Sequence, residues 1–258
     1  MTDSAWMGRH RLFVTPATVD EHSVHFDRDQ SHQLARVLRV GRQEPVVVLT
    51  GDGQEFLVEL RQVDPKACIG EIVDRRLAAA KPRLAVSLYQ ALLPRERFEL
   101  ALTKATEVGI ERFTPVRTRR VVARFEESGW PARESRLVAL AREASEQSER
   151  GALPSIGKPM AFAEAVRQAC SAGPTLIAWE RGAAELTRSE LRTMAAAAGQ
   201  ISIFVGPEGG FTPEEIAAGR ELGAGAVWLG PRILRAETTG LVLAAILLYE
   251  SGDLGLSS

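Results

Sequence analysis

The chain has 258 residues, 45% of them hydrophobic and 25% charged, with a formal net charge of -1. This is an ordinary globular composition with room for one large or two small domains. It excludes a globally cationic nucleic-acid binder, so any contact with RNA must come from a local basic patch. Cys68 and Cys170 are far apart and in no metal spacing, which reads as reduced, buried thiols of a cytosolic protein. His22-x-x-His25 lacks a third ligand, so no metal is expected. The start, Met1-Thr-Asp-Ser-Ala-Trp-Met7, lacks the basic and apolar segments of a secretory signal. As a helix, the most apolar run, Leu241 to Tyr249, would span about 14 Å against roughly 30 Å of bilayer hydrocarbon. No membrane is expected, and the default location is the cytoplasm.

Residues 11–74 are β-rich. Arg11-Leu-Phe-Val14 and His25-Phe26 predict short extended pieces. Ser31 is placed as the N-cap of a helix carrying Leu34, Val37 and Leu38, with Gly41 as its stop. Arg36 and Arg39, three apart, would share a face of it, as phosphate contacts or as solvated charges. Val46–Thr50, the turn Gly51-Asp-Gly53 and Glu55–Leu60 form a hairpin signal, and Ala67–Val73 supplies another strand. Several short strands closed by one helix suggest a small barrel over residues 1–74. Residues 75–83 contain a Pro and no strand period, so the linker is placed there.

The second domain, 84–258, opens with a buried strand, Leu84–Gln90. A helix follows over Arg95–Val108, with Phe98, Ala101, Leu102 and Ala105 inward and Gly109 as its stop. Arg112–Val116 and Arg119–Val122 read as short strands. Arg112, Arg117, Arg119, Arg120 and Arg124 make the best basic patch of the chain; a phosphate surface competes with a charged edge strand. Arg133–Arg150 is a helix, with Arg142–Glu146 and Glu146–Arg150 as i,i+4 pairs. Ala163–Ala172 is another helix, Thr175–Trp179 a strand ending in Glu180-Arg-Gly182, and residues 183–200 a surface helix.

The stretch from Ile201 to Tyr249 organises the rest. A strand, Ile201–Val205, runs into Gly206-Pro-Glu-Gly-Gly-Phe211. Thr212, Pro213 and Glu215 then supply N-cap, N1 and capping box, with Gly223 as the stop. A second strand, Ala226–Leu229, runs into Gly230-Pro-Arg-Ile-Leu-Arg235, and Glu237 opens an apolar helix. Alternating strands and helices predict an α/β domain with a mostly parallel sheet. Loops that follow parallel strands emerge at one edge, where such sheets bind ligands. The two glycine loops are therefore expected side by side and, with Glu180-Arg-Gly182 as a third, are read as walls of one pocket.

Five motifs in this order carry a resemblance: His32-Gln-Leu-Ala-Arg-Val-Leu-Arg39, Lys104-Ala-Thr-Glu-Val-Gly109, Glu146-Gln-Ser148 with Arg150, Gly206-Pro-Glu-Gly-Gly-Phe-Thr212 and Leu229-Gly-Pro-Arg-Ile-Leu-Arg-Ala-Glu-Thr238. Together they resemble the bacterial methyltransferases that make N3-methyluridine at uridine 1498 of 16S ribosomal RNA, members of the SPOUT, or α/β-knot, class. Val108 stands where Leu is common, and Glu149 interrupts the approach from Glu-Gln-Ser to Arg. The resemblance implies a PUA-like N-terminal β-barrel that helps bind RNA and a C-terminal SPOUT domain with a deep trefoil knot, a rare exception to unknotted folds. It implies a homodimer acting on 16S rRNA or the small ribosomal subunit, with S-adenosylmethionine as cofactor.

Under that resemblance Gly206, Pro207, Glu208, Gly209, Gly210, Leu229, Gly230, Ile233, Leu234 and Arg235 contact the cofactor, and Trp179 and Glu180 border its adenosine. Arg235 is expected to hold a phosphate or stabilise the deprotonated uracil. Glu237 is the candidate base, with placement for the helix dipole as its other reading and Glu208 as a substitute. The RNA surface combines Arg36, Arg39, Arg119, Arg120 and Arg142. Competing readings are a SPOUT methyltransferase for another rRNA or tRNA site, and a non-catalytic RNA-binding assembly factor. Intact glycines in both loops speak against the second.

Overall fold

The computed structural model describes residues 5–78, 82–121, 127–180 and 186–255. Its chain divides into two compact units: Met1–Lys81 with Ser145–Leu153, and Pro82–Ala144 with Pro154–Ser258. The expected features at Val122, Arg124, Arg181, Gly182 and residues 183–185 lie outside the described residues.

The first unit is a curled five-stranded sheet, a half-barrel. Its strands are β1 (Arg11–Phe13), β2 (Ser23–His25), β3 (Pro45–Leu49), β4 (Gln54–Gln62) and β5 (Ile69–Leu77), in the order β1-β3-β4-β5-β2. β3 and β4 form the expected hairpin, with Leu49 opposite Glu55 and Gly51 and Gly53 both at positive φ in the turn. Period-2 alternation divides the apolar residues between two clusters. Val46, Val48, Phe56 and Val58 face one; Val47, Leu49 and Leu57 face the other with Trp6 and Phe13. β5 runs through Arg75 and Arg76, which pair with Phe56 and Glu55. Strand pairing thus continues past the expected linker start at 75.

The helix of this unit departs from the sequence reading. α1 (Arg28–His32) starts earlier in the chain than expected, because Asp27, not Ser31, is its N-cap, in a capping box with Gln30. Ser31 lies inside the helix, fully buried; its hydroxyl donates to Phe26 O and accepts from Cys68 N–H. A π-helical turn follows over Gln33–Val37. That widening rotates Val37 outward, to 66% exposure, while Leu34 stays buried. Arg39 adopts a left-handed conformation, φ 54°, so the chain turns there rather than at Gly41, and Arg36 and Arg39 do not share a helix face.

One buried charge organises the same sheet. Glu55 is fully buried, accepts from the buried Arg11, and takes Arg76 at 2.9 Å on its other oxygen. Arg76 in turn lies 4.2 Å over the Trp6 ring. Residues 145–153 belong to this unit, and Glu146 Oε1 accepts the Phe13 N–H at 2.8 Å.

The second unit is a parallel sheet covered on both faces. Its strands are β6 (Ala85–Ala91), β7 (Arg112–Arg117), β8 (Ser155–Ile156), β9 (Met160–Ala161), β10 (Thr175–Ala178), β11 (Gln200–Val205) and β12 (Gly225–Val227). They run in the order β12-β10-β11-β6-β7-β8, with β9 also paired to β7, and every pairing is parallel. The helices are α2 (Arg95–Val108), α3 (Trp130–Gln147), α4 (Phe162–Ala172), α5 (Arg188–Ala197), α6 (Pro213–Glu221) and α7 (Ala236–Glu250). Val86, Leu88, Ile201, Ile203 and Val205 point to one face, with core residues of α2, α3, α5 and α7. Tyr89 and Phe204, register partners stacked at 4.4 Å, point to the other, with core residues of α4 and α6. α2 matches the sequence reading at both ends, with Gly109 at φ 119° closing it. α7 comes so close to the sheet that a Cβ on Gly240 would sit 3.0 Å from both Leu88 methyls.

Five further expectations change. α3 ends at Gln147 and Glu149 turns left-handed, φ 57°, so the helix stops short of Arg150. β7 is an interior strand between β6 and β8, which removes the edge-strand explanation of its arginines. Residues 119 and 120 form a turn, not a strand. Helix α5 begins at a capping box of Thr187 and Glu190 and buries Leu191 and Ala195, so it is anchored rather than superficial. Cys68 is buried as expected, whereas Cys170 is only half-buried.

Removing Glu55 would strand Arg11 inside the sheet. Breaking a buried ion pair from one side costs about 3–5 kcal/mol. Glu55→Ala is expected to lower the urea unfolding free energy by that order, and Arg76→Ala, whose side chain is 37% exposed, by much less. Equal effects of the two variants would refute the buried pair as the anchor.

Candidate functional site

The carboxyl ends of β10, β11 and β12 are adjacent, because β12 pairs with β10 on the side away from β11. The two glycine loops are therefore not immediate neighbours; the end of β10 stands between them. All three strand ends line one cavity of about 390 Å³, within the range of small-ligand sites. Its walls are Trp179–Glu180 after β10, Gly206–Glu208 with Gly210 and Phe211 after β11, and Trp228–Gly230 with Arg232–Arg235 after β12. Glu237 and Thr239 from the first turn of α7 complete it, with Arg97 from α2.

Both expected loops thus wall one pocket. Of the expected cofactor residues, Gly209 alone does not line it. Its carbonyl instead accepts from Arg120 Nη1 at 2.8 Å, and a Cβ on Gly209 would meet the Arg120 side chain at 3.3 Å. The sequence reading missed Arg97, Trp228, Arg232 and Thr239. Arg232 lies within a quoted motif, and Trp228 and Thr239 adjoin it, so all three were within reach. Arg97 comes from a distant helix and gave no local signal.

The glycine loop has little freedom. Gly210 sits at φ 66°, and a Cβ there would lie 2.8 Å from Glu180 Oε1. A Cβ on Gly206 would press on the backbone of Gly210 and Phe211 at 3.2 Å. The Gly210 N–H bonds to Pro207 O at 2.8 Å, while Glu208 pairs with Arg97 at 2.9 Å. α6 starts at the expected capping box: the Glu215 N–H donates to the Thr212 hydroxyl, and the Thr212 N–H to Glu215 Oε2 at 2.9 Å. Glu215 Oε1 also accepts the Arg119 N–H at 2.8 Å, fastening the turn after β7 to this helix start. The Thr212 hydroxyl holds the Glu214 carboxyl below its ordinary value, with Arg119 and Arg120 adding to the effect.

Glu237 is the buried carboxylate of the cavity. Its side chain is 8% exposed, Oε1 lies 4.0 Å from Arg235 Nη1, and Oε2 has no hydrogen-bond partner among the described residues. Leu229, Ile233 and Leu234 supply the apolar part of the wall, with Ile233 83% exposed. Trp179 donates its backbone N–H to Val227 O at 3.0 Å and carries Arg220 over its ring at 5.3 Å. Of the arginines expected to bind RNA, Arg36 and Arg39 belong to the first unit, where both stand outside its core. Arg119 and Arg120 are exposed and Arg142 half-buried in the second.

A glycine-walled cavity at the carboxyl edge of a parallel sheet is the ligand position of open α/β folds, and here it belongs to a known class. Residues 80–248 match the RNA methyltransferase domain family. The protein named ribosomal RNA small subunit methyltransferase E from Mycobacterium tuberculosis is 32% identical over 220 residues, covering 84% of this chain and 82% of its own length. The Synechocystis protein of that name is 31% identical over 247 residues, covering 95% of this chain and 78% of its own. The crystal structure of the Neisseria gonorrhoeae protein of the same name, bound to S-adenosyl methionine, is 27% identical with a TM-score of 0.82, over 93% of this chain and 97% of that one. The chain belongs to the ribosomal RNA small subunit methyltransferase E family.

The two loop glycines should differ on substitution. Gly210→Ala forces a side chain into the left-handed region and against Glu180, and is expected to cost about 1–2 kcal/mol. Gly209→Ala, at ordinary φ, should cost less. Chemical denaturation of both variants checks this order, and its reversal would disprove the tight-loop account.

Proposed function

We propose that this protein transfers a methyl group from S-adenosylmethionine to N3 of a specific uridine, uridine 1498, in 16S rRNA of the small ribosomal subunit. The observation that carries the reading is the cavity itself: two glycine turns leave its walls to backbone, and one unpartnered, buried carboxylate oxygen belongs to a residue lining it. These features fit the cofactor. Backbone groups of Gly206, Pro207, Gly210 and Gly230 would hold its polar parts, Leu229, Ile233 and Leu234 its apolar surface, and Trp179 and Glu180 its adenosine, with Glu208 kept at the rim by Arg97. When bound, the cofactor supplies an electrophilic methyl group on a sulfonium.

The chain's own residues then have two tasks, to align the uracil and to accept its N3 proton. Alignment contributes roughly 7–11 kcal/mol. A general base adds typically about 10²–10⁴-fold. Glu237 is that base, because Oε2 is free to take a proton. Arg235, mostly exposed beside it, steadies the negative charge left on the uracil or an adjoining phosphate. The target base has to leave its stack to reach the cavity.

The arginines that contact RNA in this reading are Arg36, Arg39, Arg119 and Arg142, with the curled sheet, β5 included to Leu77, as a PUA-like domain and a SPOUT domain from 84 onward. The deep trefoil knot of that class belongs to the reading, as do a cytoplasmic location and a site without metal. A homodimer also belongs to it. On α7 the half-buried Leu241, Val242 and Ala245 lie at helical spacing with the 62% exposed Tyr249, and this apolar stripe supports a second copy covering that helix.

Single-turnover methylation of small subunits or 16S rRNA, followed by nucleoside chromatography, tests the assignment. The wild type should yield N3-methyluridine. Glu237→Gln should slow the reaction about 10²–10⁴-fold while cofactor affinity by calorimetry stays close to wild type. Wild-type rates in Glu237→Gln would remove the base, and a different methylated nucleoside would remove the substrate assignment.

A further inference from the structure

Arg120 belongs to the arginine run that the sequence offers to RNA, yet its guanidinium is turned to the protein's own backbone. Nη1 donates to Gly209 O at 2.8 Å and to Phe211 O at 3.4 Å. Its aliphatic stem packs where a side chain on Gly209 would lie. One residue earlier, the Arg119 N–H is held by Glu215 Oε1 at 2.8 Å, and Glu215 Oε2 holds the Thr212 N–H at 2.9 Å. The turn after β7 is thus bonded to the cofactor loop and to the start of α6. On the cavity side the loop is held again, by Arg97 on Glu208 at 2.9 Å.

We propose that Arg120 is a positioning residue for the loop Gly206–Phe211 and not an RNA contact. Glycines lose the most conformational entropy on being ordered, and two nearby carbonyls drawn to one guanidinium fix the loop's peptide planes before the ligand arrives. Pre-ordering of this kind raises ligand affinity without touching the ligand. A lysine has one compact charge in place of the planar fork and replaces part of the grip. The inference rests on the methyltransferase reading for its ligand, but not for its loop.

Three measurements on full-length protein test it. Without cofactor, hydrogen exchange of the loop amides, Gly210 above all, should quicken about tenfold in Arg120→Ala and recover in part in Arg120→Lys. S-adenosylmethionine affinity by calorimetry should fall about tenfold and recover in the same order, with the rate at saturating cofactor within about threefold of wild type. The salt slope of RNA affinity, to which each neutralised phosphate adds about 0.7–0.9, should stay unchanged. Unchanged loop exchange together with a shallower salt slope would overturn the proposal and return Arg120 to the RNA surface. If the wild type binds no S-adenosylmethionine, the methyltransferase reading fails while the exchange result still decides the role of Arg120. Should Arg120→Ala not fold, Arg120→Gln carries the same comparisons.

Discussion

The constraint on which the site depends is the parallel register of β12-β10-β11-β6. Parallel strands joined by helical crossovers bring every strand-following loop to one edge. Placing β12 outside β10 gathers three of those loops around one space. The register is set by side chains alternating between two covered faces, as in the Tyr89–Phe204 pair on one side and Leu88 and Ile203 on the other. A slip of one residue would exchange the two faces, so the loop positions are fixed as firmly as the core.

At the cavity the chain uses little side-chain chemistry and much backbone. Gly206 sits where a Cβ would press on the Gly210 and Phe211 backbone and Gly210 sits at a left-handed φ of 66°, and the loop they form is held from both sides by guanidiniums at Gly209 and Glu208. Its acidic groups divide by environment. Glu208 is ion-paired at the rim, while Glu237 sits nearly buried at the first turn of α7 with one oxygen unpartnered. The N-terminus of a helix favours a carboxylate there, which suits a nearly buried acidic side chain in the first turn of α7.

The first unit shows the same economy with a different device. A single buried carboxylate, Glu55, ties β1 to β4 and β5 through Arg11 and Arg76. Its short helix widens into a π turn and is broken by a left-handed Arg39. π turns and left-handed non-glycine residues are costly and tend to mark working surfaces, and here they set Arg36 and Arg39 on different bearings.

Local signals were sufficient for much of this. The amphipathic spacing of α2 and the glycine after it, the Thr212–Pro213–Glu215 capping box, the Gly51–Gly53 hairpin and the strand–glycine loop pairs all act within a few residues. Those elements, the α/β class and the two main walls of the cavity were therefore determined by sequence alone. What depends on partners far along the chain was not. Ser31 resembled a cap but was drawn into the core by Cys68. Arg120 resembled an RNA contact but met carbonyls some ninety residues away. Arg97 reached the cavity from the first turn of α2, outside the motif quoted for the other end of that helix. Strand order, not strand identity, decided that β10 separates the two glycine loops, because hydrogen-bond partners in a parallel sheet are chosen by how crossovers pack and not by any residue within the strands.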